Sequence, residues 1–245
     1  ISTDSATGTT INNGTIIVHG ANTIGMYASN KSTIINQGTI ILDGTGVGMS
    51  AVGGSHIVLG ANSTITIGTQ TMTATGTETL ADGFYVKTDA TSNVNNQGAI
   101  AANTKITIDG NGKFILNGAS GSLKATRLVL KGNLYVGTED TLNSSDDQYV
   151  MNNLNVGEIT GDGSILPNSP LFTLAVQTTD DNDHAIVMER KSFTEIVSED
   201  LGTVLEENYK NSENDVQQNK VYNSLKSVTD EKTLLTAEKE LTGDS

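Results

Sequence analysis

The sequence predicts an all-β fold, a parallel β-helix solenoid that is closed by a C-terminal hairpin cap and followed by a short α-helical tail. Three observations predict this fold: a near-duplicate decapeptide, a series of short strand-like segments separated by Gly and Asn, and a change of composition near Pro167. The decapeptides are Ile11–Gly20 and Ile35–Gly44. A self-match at this spacing is typical of solenoids, in which stacked coils share one core.

Each decapeptide, INNGTIIVHG and then INQGTIILDG, reads as a turn followed by a strand. Gly14 and Gly38 follow Asn or Gln, and this pairing predicts a turn with positive φ. The residues after the turn alternate with strand period, which assigns one set of side chains to the core and one to solvent. The inward set is Ile16, Val18, Ile40 and Leu42, and the outward set includes Thr15, Ile17, His19 and Ile41.

A weaker third copy, NNQGAIAA at 95–102, keeps the Asn-x-Gly-x-Ile core of the repeat. Stacked coils would place Asn12 or Asn13, Asn36 and Asn96 above one another, which favours a ladder of side-chain amides. Asn residues also tolerate tight turns without any ladder. The sequence leaves both interpretations open.

Short strands without helical period between them are predicted from Ile1 to about Gly137, and they favour a parallel β-helix over a βαβ fold. A β-sandwich is the main rival. The predicted strands are Thr15–His19, Thr39–Asp43, His56–Leu59, Thr64–Ile67, Gly83–Lys87, Lys105–Asp109, Lys113–Leu116, Arg127–Lys131 and Asn133–Val136.

Charge divides the chain into two parts. Residues 1–136 carry six acidic and seven basic side chains, whereas residues 137–245 carry 22 acidic and seven basic ones, so the net charge of −14 arises in the second part. Such a distribution lacks the basic footprint of a nucleic-acid-binding protein, and nucleic acid is excluded as a partner. The absence of Cys fits either a cytosolic protein or a secreted chain that crosses a membrane unfolded.

The C-terminal part predicts a hairpin and then helices. Leu171–Gln177 and His184–Arg190 flank a polar turn and read as an antiparallel hairpin that covers the edge of the solenoid, after a turn-and-strand unit at Gly157–Ile165. Ser192 and Glu195 form a capping box that predicts a helix start. The apolar face of this first helix is Phe193, Ile196, Val197, Leu201, Val204 and Leu205.

Two more helices are predicted beyond a break at Asn211–Asn214. The second contains Val221, Leu225 and Val228, and the third starts at Thr229 and ends at Gly243. The apolar residues of the third helix are Leu234, Leu235 and Leu241. Because residues 208–245 are acidic and sparsely apolar, they are expected to be loose where nothing packs against them.

No catalytic, cofactor-binding or metal-binding residue is predicted, no cofactor is expected, and the ligand-binding residues are unknown. The three histidines, His19, His56 and His184, lie on or beside strands without a neighbouring nucleophile motif. Polysaccharide-degrading β-helices need clustered Asp, Lys or Arg on one face, whereas Arg127 and Arg190 are the two arginines of the chain. The acidic runs at 180–183 and 161–163 lack a calcium-loop spacing and are interpreted as polar turns.

With these segments in order, the chain resembles the C-terminal part of a type V autotransporter passenger, the one-chain secretion family of Gram-negative bacteria. The resemblance consists of the Asn-x-Gly-x-Ile coils with their trailing Gly-Met turns, GDGSI at 161–165, IVMERKSF at 186–193 and LTAEKELTGDS at 235–245. Its low Pro content and Lys/Arg-poor coils are similar to the large fusobacterial outer-membrane adhesins.

The resemblance implies a right-handed β-helix at 1–138, a last-coil and capping-hairpin region at 139–192 that acts as an autochaperone, and an acidic helical linker at 193–245. It implies a cell-surface stalk with no enzyme activity. The implied partners are host-cell or bacterial surface ligands, bound by a more distal passenger region, and the protein's own C-terminal β-barrel, encoded beyond Ser245. The chain is therefore expected to be a fragment of a longer outer-membrane protein.

Two alternatives stay open at this stage. The chain could be a self-associating biofilm module that uses flat outward strips such as Ile17 and Ile41. The other alternative is a β-helix polysaccharide-degrading enzyme, and fold alone does not decide between these functions.

Overall fold

Three parallel sheets run along the chain in the computed structural model, which describes residues 1–5, 8–20, 23–43, 46–67, 86–88, 92–102, 105–108, 112–117, 120–137, 148–179, 183–209, 220, 222, 224–225 and 228–242. Sheet A contains β1 (Ser2–Thr3), β4 (Ile24–Ala28), β7 (Val47–Ala51) and β10 (Val86–Thr88). Sheet B contains β2 (Thr9–Asn12), β5 (Thr33–Asn36), β8 (His56–Leu59), β11 (Asn93–Asn96), β14 (Lys113–Asn117), β16 (Leu134–Gly137) and β18 (Ile165–Pro167).

Sheet C is the longest of the three and includes the C-terminal hairpin. Its strands are β3 (Thr15–His19), β6 (Thr39–Asp43), β9 (Thr64–Ile67), β12 (Ala99–Ala101), β13 (Lys105–Ile108), β15 (Ser122–Leu130), β17 (Gln148–Gly161), β19 (Phe172–Thr178) and β20 (His184–Arg190). In the first coils, chain order visits sheets B, C and A in turn, so three strands make one coil, whereas the described strands after β12 belong to sheets B and C. The predicted parallel β-helix is confirmed, and the rival sandwich of face-to-face antiparallel sheets is wrong.

The spacing of the two decapeptides corresponds to one turn of the solenoid. In sheet C, Thr15 pairs with Thr39 and Val18 pairs with Leu42, which are the equivalent positions of the two copies. The inward side chains of the predicted alternation lie in the core: Ile40 and Leu42 are fully buried, Val18 is buried and Ile16 packs against the core. Ile17, by contrast, is 53% exposed. The inward and outward assignments are therefore confirmed.

Sheet C gains longer strands in the later coils. β15 pairs with β12 through Ser122–Lys124 and with β13 through Arg127–Leu130, and β17 then pairs with both halves of β15. At the join, Thr126 and Arg127 are both exposed, so the inward–outward alternation slips by one residue within the strand. This corrects the prediction of a separate strand at 127–131 and of a turn-and-strand unit at 157–165, because each segment largely belongs to one long strand.

Gly14 and Gly38 do not have positive φ, which corrects the prediction for both, and at Gly38 the glycine is required for close stacking of the coils. The described glycines with positive φ are Gly20, Gly53, Gly54 and Gly161. A Cβ atom added to Gly38 would instead collide with the carbonyl oxygen of Gly14 in the preceding coil.

The Gly-Met pairs lie inside strands, whereas the resemblance placed them in turns. Met26 and Met49 are paired in sheet A and are both fully buried. A Cβ atom on Gly25 would lie 2.7 Å from the carbonyl oxygen of Gly48. Glycine at position 25 therefore lets the two coils approach each other, and Met26 and Met49 fill the core.

The Asn residues of the repeat combine both roles that the sequence left open. Asn12 and Asn36 are buried, and the Nδ2 of Asn12 donates a 2.8 Å hydrogen bond to the Oδ1 of Asn36. Each amide also bonds the backbone of its own turn, as in the 3.0 Å bond from Asn36 Nδ2 to Gly38 O. Asn96 does not extend this ladder, because its register partners are Leu59 and Leu116.

Replacement of Asn36 by alanine is expected to destabilise the chain by about 1 to 3 kcal/mol, because buried polar groups of two turns lose their partner. Asn13→Ala is the matched control, since Asn13 is exposed on the neighbouring turn and its loss should change stability by less than about 0.5 kcal/mol. Urea unfolding followed by far-UV circular dichroism measures both. Equal midpoints for the two variants would contradict the ladder.

The predicted hairpin is confirmed, and it covers the last long strand of sheet C. β19 and β20 pair antiparallel from Phe172–Arg190 to Thr178–His184, and β20 also pairs antiparallel with β17. Four consecutive residues of β20, 185–188, are buried. The hairpin therefore closes an edge that would otherwise expose unpaired backbone groups and apolar side chains.

The helical tail begins later than predicted. Ser192 caps a single 3₁₀ turn, Phe193–Glu195, and helix α1 (Glu199–Tyr209) starts after a break; helix α2 is Glu231–Thr242. Asp230 caps α2 through a 2.8 Å bond from Thr233 N, so the predicted start at Thr229 is one residue too early. No helix in the described part of the chain is long and apolar enough to cross a membrane.

The apolar faces of the helices also need correction. Phe193, Leu205 and Leu234 are buried as predicted, but Val204 and Leu235 are more than half exposed. The buried side of α1 is formed by Gly202, Leu205 and Tyr209, and Val204 lies outside this side of the helix.

Several predicted features lie at or beyond the limits of the described residues. Leu225, from the predicted second helix, is helical and buried. Residues 211–219, Val221 and Gly243 lie outside the described residues, as does most of Gly83–Lys87.

Candidate functional site

The histidines and acidic residues that could act in catalysis or metal binding are dispersed over the fold. His19 and His56 are exposed on sheets C and B, and the Nδ1 of His184 lies 2.7 Å from the backbone oxygen of Val156. Within the described ranges, no group of three or more His, Asp or Glu side chains is placed to hold a metal ion. Asp162 is exposed, and positions 180–182 are outside the described residues.

Both arginines are held by carboxylates of neighbouring elements. Arg127 of β15 and Glu158 of β17 form a 2.8 Å ion pair on the surface, where each side chain is about half exposed. Arg190, the last residue of β20, is buried and forms a bidentate pair with Glu206 of α1. The first pair links two strands, and the second links the hairpin to the helical tail.

The Arg190 guanidinium lies close to two aromatic rings. Its Cζ is 4.3 Å from the ring centroid of Tyr209 and 5.0 Å from that of Phe193. The contact geometry is that of cation–π interaction with a weakly hydrated, planar cation. We call the group of Arg190, Phe193, Glu206, Tyr209 and Tyr222 the C-terminal lock.

The aromatic members of the C-terminal lock form a closed triangle. Ring centroids are 5.7 Å apart for Phe193 and Tyr209, 5.6 Å for Phe193 and Tyr222, and 5.3 Å for Tyr209 and Tyr222. The Tyr222 hydroxyl donates a 2.7 Å bond to the backbone oxygen of Leu205, and burial raises the pKa of Tyr222. Part of the tail that was expected to be loose is therefore packed on α1.

Glu206 is the polar centre of the C-terminal lock. Besides the two Arg190 nitrogens, its carboxylate accepts hydrogen bonds from Phe193 N at 3.0 Å and from the Ser192 hydroxyl at 3.4 Å. The hydrogen bond from Arg190 is the main reason that the pKa of Glu206 lies below its ordinary value, and it outweighs the opposing effect of burial. Glu206 is therefore ionised at neutral pH and well below it.

The sign of this pKa shift predicts an acid dependence of stability. A carboxylate with a lowered folded pKa contributes stability above its unfolded pKa of about 4.5, and that contribution is lost as the pH falls through the folded value. The stability difference between the native chain and Glu206→Gln should therefore shrink from about pH 6 to about pH 3. Urea titrations of both proteins across this range measure it, and a constant difference would contradict the assignment.

The outer faces of the coils present regular rows of side chains. On sheet C, Ile17 is in register with Ile41, Thr66, Ala101 and Lys124, so the aliphatic strip predicted from the decapeptides ends after two coils. On the outer face of sheet B, six of the seven strands have an aliphatic or aromatic side chain at the same register position, and the remaining strand has Asn95 there. We call this set the sheet B row: Ile11, Ile35, Val58, Asn95, Ile115, Tyr135 and Leu166.

The sheet B row lies beside a polar row. Ile11 is 49% exposed at the first coil, and the other members of the sheet B row are partly exposed. The neighbouring outward positions on the same strands include Thr9, Thr33, His56 and Lys113. The sequence analysis missed this surface because the residues of the sheet B row belong to different coils. The sequence feature that they share is one aliphatic or aromatic residue near the end of most sheet B strands.

Comparison with known proteins gives one match that covers part of the coils. A family model described as the BigA third pectate lyase-like domain matches residues 1–58. No curated protein and no solved structure matches the chain. The matched residues coincide with the coils that contain the two decapeptides, and they are similar to a pectate lyase-like β-helix.

Proposed function

We propose that the chain is the surface-exposed stalk and folding cap of a secreted autotransporter adhesin on a Gram-negative bacterium. In this role it holds a more distal ligand-binding region away from the outer membrane, and it has no catalytic activity or cofactor of its own. The observation that supports the proposal most is the asymmetry of the solenoid. In-register parallel strands continue in one direction, and the C-terminal end is covered by a hairpin that the C-terminal lock fixes to a helix.

The C-terminal cap gives this proposal its mechanism. A coil cannot bury its apolar side chains alone, so each coil requires a neighbour that is already folded. The hairpin, β17 and α1 share one buried core, and this core includes all three aromatic side chains of the C-terminal lock. In the proposed mechanism this part folds first outside the cell and serves as a template for the coils that stack on it.

The placement of the arginines supports a structural role over a catalytic one. Arg190 is enclosed by the C-terminal lock and Arg127 pairs with Glu158, so both guanidinium groups have carboxylate partners within the fold. Turnover of polygalacturonate by the purified chain would overturn the non-enzymatic part of the proposal.

A deletion that respects the register tests the stalk. Thr33 pairs with His56, so removal of Thr33–Ser55 from the parent protein joins Ser32 to His56 and takes out one whole coil. We expect surface display and ligand binding to persist. Removal of Thr33–Asn36 alone deletes one strand of a coil and is the control that should abolish display. Loss of ligand binding with normal display after the whole-coil deletion would show that these coils contain the binding site.

A further inference from the structure

We propose that Asn13 is a modification site, at which the side-chain amide is lost spontaneously in the folded chain and the turn acquires an aspartate or isoaspartate. Asn13 is exposed and is followed by Gly14, which is also exposed. Asn-Gly is a dipeptide that offers little steric hindrance to this reaction, because glycine has no side chain beside its nitrogen. The inference concerns the coils themselves, and it holds whether or not the chain is a stalk.

The reaction needs only the chain and water. The backbone nitrogen of Gly14 attacks the side-chain Cγ of Asn13, so an N–Cγ bond forms, the Cγ–Nδ2 bond breaks, and ammonia leaves with the proton of the Gly14 N–H. The product is a cyclic imide. Water then opens the ring at Cγ, which gives aspartate, or at the main-chain carbonyl carbon, which gives isoaspartate with the main chain running through Cγ. Either product adds one negative charge to the turn.

The repeat itself provides two positions that resist the reaction. Gln37 and Gln97 occupy the place of Asn13 in the other two copies of the repeat, and each is also followed by glycine. A glutamine has to close a ring that is one atom larger, and the proximity of the reacting atoms decides such ring closures. Gln37 has coils on both sides and is exposed like Asn13, so this outward position does not depend on where the chain begins.

The side chain of Asn12 holds the attacking nitrogen. Its Oδ1 accepts a 3.1 Å hydrogen bond from Gly14 N, and its Nδ2 donates a 3.2 Å bond to Gly14 O. Attack on Asn13 requires the Gly14 nitrogen to leave the first bond, because the nitrogen must turn toward Cγ and lose its proton. Asn12 is therefore a positioning residue that slows the modification, and the rate should follow the local opening of this turn.

The product is expected to weaken the stacking of two coils. Gly14 O accepts a 2.9 Å hydrogen bond from Thr39 N in the next coil as well as the bond from Asn12. Gly38 lies so close to the peptide between Asn13 and Gly14 that a Cβ atom there would collide with it. Isoaspartate inserts an additional carbon atom into the main chain at this contact, so the Gly14 carbonyl loses the geometry of both bonds.

Ageing of the purified, folded chain tests the proposal. The protein is kept in mildly alkaline buffer and digested, tandem mass spectrometry locates the amides that have become acids, and an isoaspartyl methyltransferase labels the isoaspartate. We expect modification at Asn13 and none at Gln37 or Gln97 over the same period. Asn62 is also exposed but is followed by Ser63, so it should react about tenfold more slowly than Asn13 or less.

Two variants separate the role of Asn12 from a general loss of stability. Asn12→Ala removes the bonds that hold Gly14 and should speed the modification of Asn13 about fivefold. Asn36→Ala removes the ladder partner of Asn12 but leaves both bonds between Asn12 and Gly14, so it should speed the reaction less. Circular dichroism verifies that both variants fold. Equal acceleration by the two variants would overturn the role of Asn12.

The modified fraction tests the structural consequence. Anion exchange separates it from the unmodified chain because of the added charge, and limited proteolysis should cut it faster in its first coil. Asn13→Asp adds the same charge without lengthening the main chain and should be cut like the native chain. Equal cutting of Asn13→Asp and the isoaspartate form would contradict the effect of the longer main chain. An intact Asn13 in the folded chain, after a period in which the urea-unfolded chain is modified, would overturn the whole proposal.

Discussion

Ile40→Asp is expected to unfold the N-terminal coils. Ile40 is fully buried between Ile16 and Ile65, its partners in the coils before and after it. Truncation of a buried isoleucine to alanine costs about 2 to 5 kcal/mol, and an aspartate in its place adds the cost of a buried, unpaired charge. Because the coils depend on their neighbours, the loss should spread to the coils that contain Val18 and Leu59. Limited proteolysis and circular dichroism measure the effect.

Ile41→Asp is the matched control for this experiment. Ile41 is the next residue along the same strand and lies on the outer face, where its side chain is partly exposed. A change of less than about 1 kcal/mol is expected there, as for other surface substitutions. If the two variants lose the same stability, the inward assignment of Ile40 is wrong. The same pair in the parent protein should reduce surface display through Ile40 and leave it nearly unchanged through Ile41.

Removal of the Glu206 carboxylate is expected to release the helical tail from the hairpin. Glu206→Ala leaves the buried guanidinium of Arg190 without its bidentate partner, and disruption of a buried ion pair in this way costs about 3 to 5 kcal/mol. We expect a smaller loss of about 2 to 3 kcal/mol, because the Glu206 side chain is one-third exposed and solvent screens the pair. Near-UV circular dichroism of Tyr209 and Tyr222 reports on the packing of the C-terminal lock.

Arg127→Ala is the control for the C-terminal lock. It removes an ion pair with a 2.8 Å contact whose partners are each about half exposed, so we expect a loss of about 0.2 to 1 kcal/mol. Equal destabilisation by Glu206→Ala and Arg127→Ala would mean that burial of Arg190 adds nothing to the pair. Arg190→Met provides a further comparison, since it removes the charge but keeps an apolar side chain among the rings of Phe193 and Tyr209.

Periodic segments of the fold could be predicted to the residue. The bounds of β3, β6, β8 and β9 agree with the prediction because in these strands inward aliphatic residues alternate with outward ones. Sheet A was missed. Its strands β4 and β7 contain Gly-Met pairs, and glycine usually marks a turn, yet Gly25 lies where two coils approach too closely for a side chain.

The later strands show a second limit of local patterns. β15 continues through Thr126 and Arg127, which are both exposed, so a period of two fails there although the strand does not end. The capping box at Ser192 likewise produced one 3₁₀ turn and not a helix. The next backbone donors are satisfied from outside: Phe193 N donates to Glu206, and Ser198 N donates to Glu238 at 2.6 Å. Long-range partners thus decided where the helix begins.

The sequence by itself determined the coil. A decapeptide that recurs once per coil, with aliphatic side chains at every second position, favours an arrangement in which each copy stacks on the preceding one. The stacked copies then bury their aliphatic side chains in one shared core, away from water. Tertiary structure alone decided which residues meet across that stack. The pair of Arg190 and Glu206 and the sheet B row both join residues of different elements. Their contacts depend on register and on the closure of the C-terminal end, which no local pattern encodes.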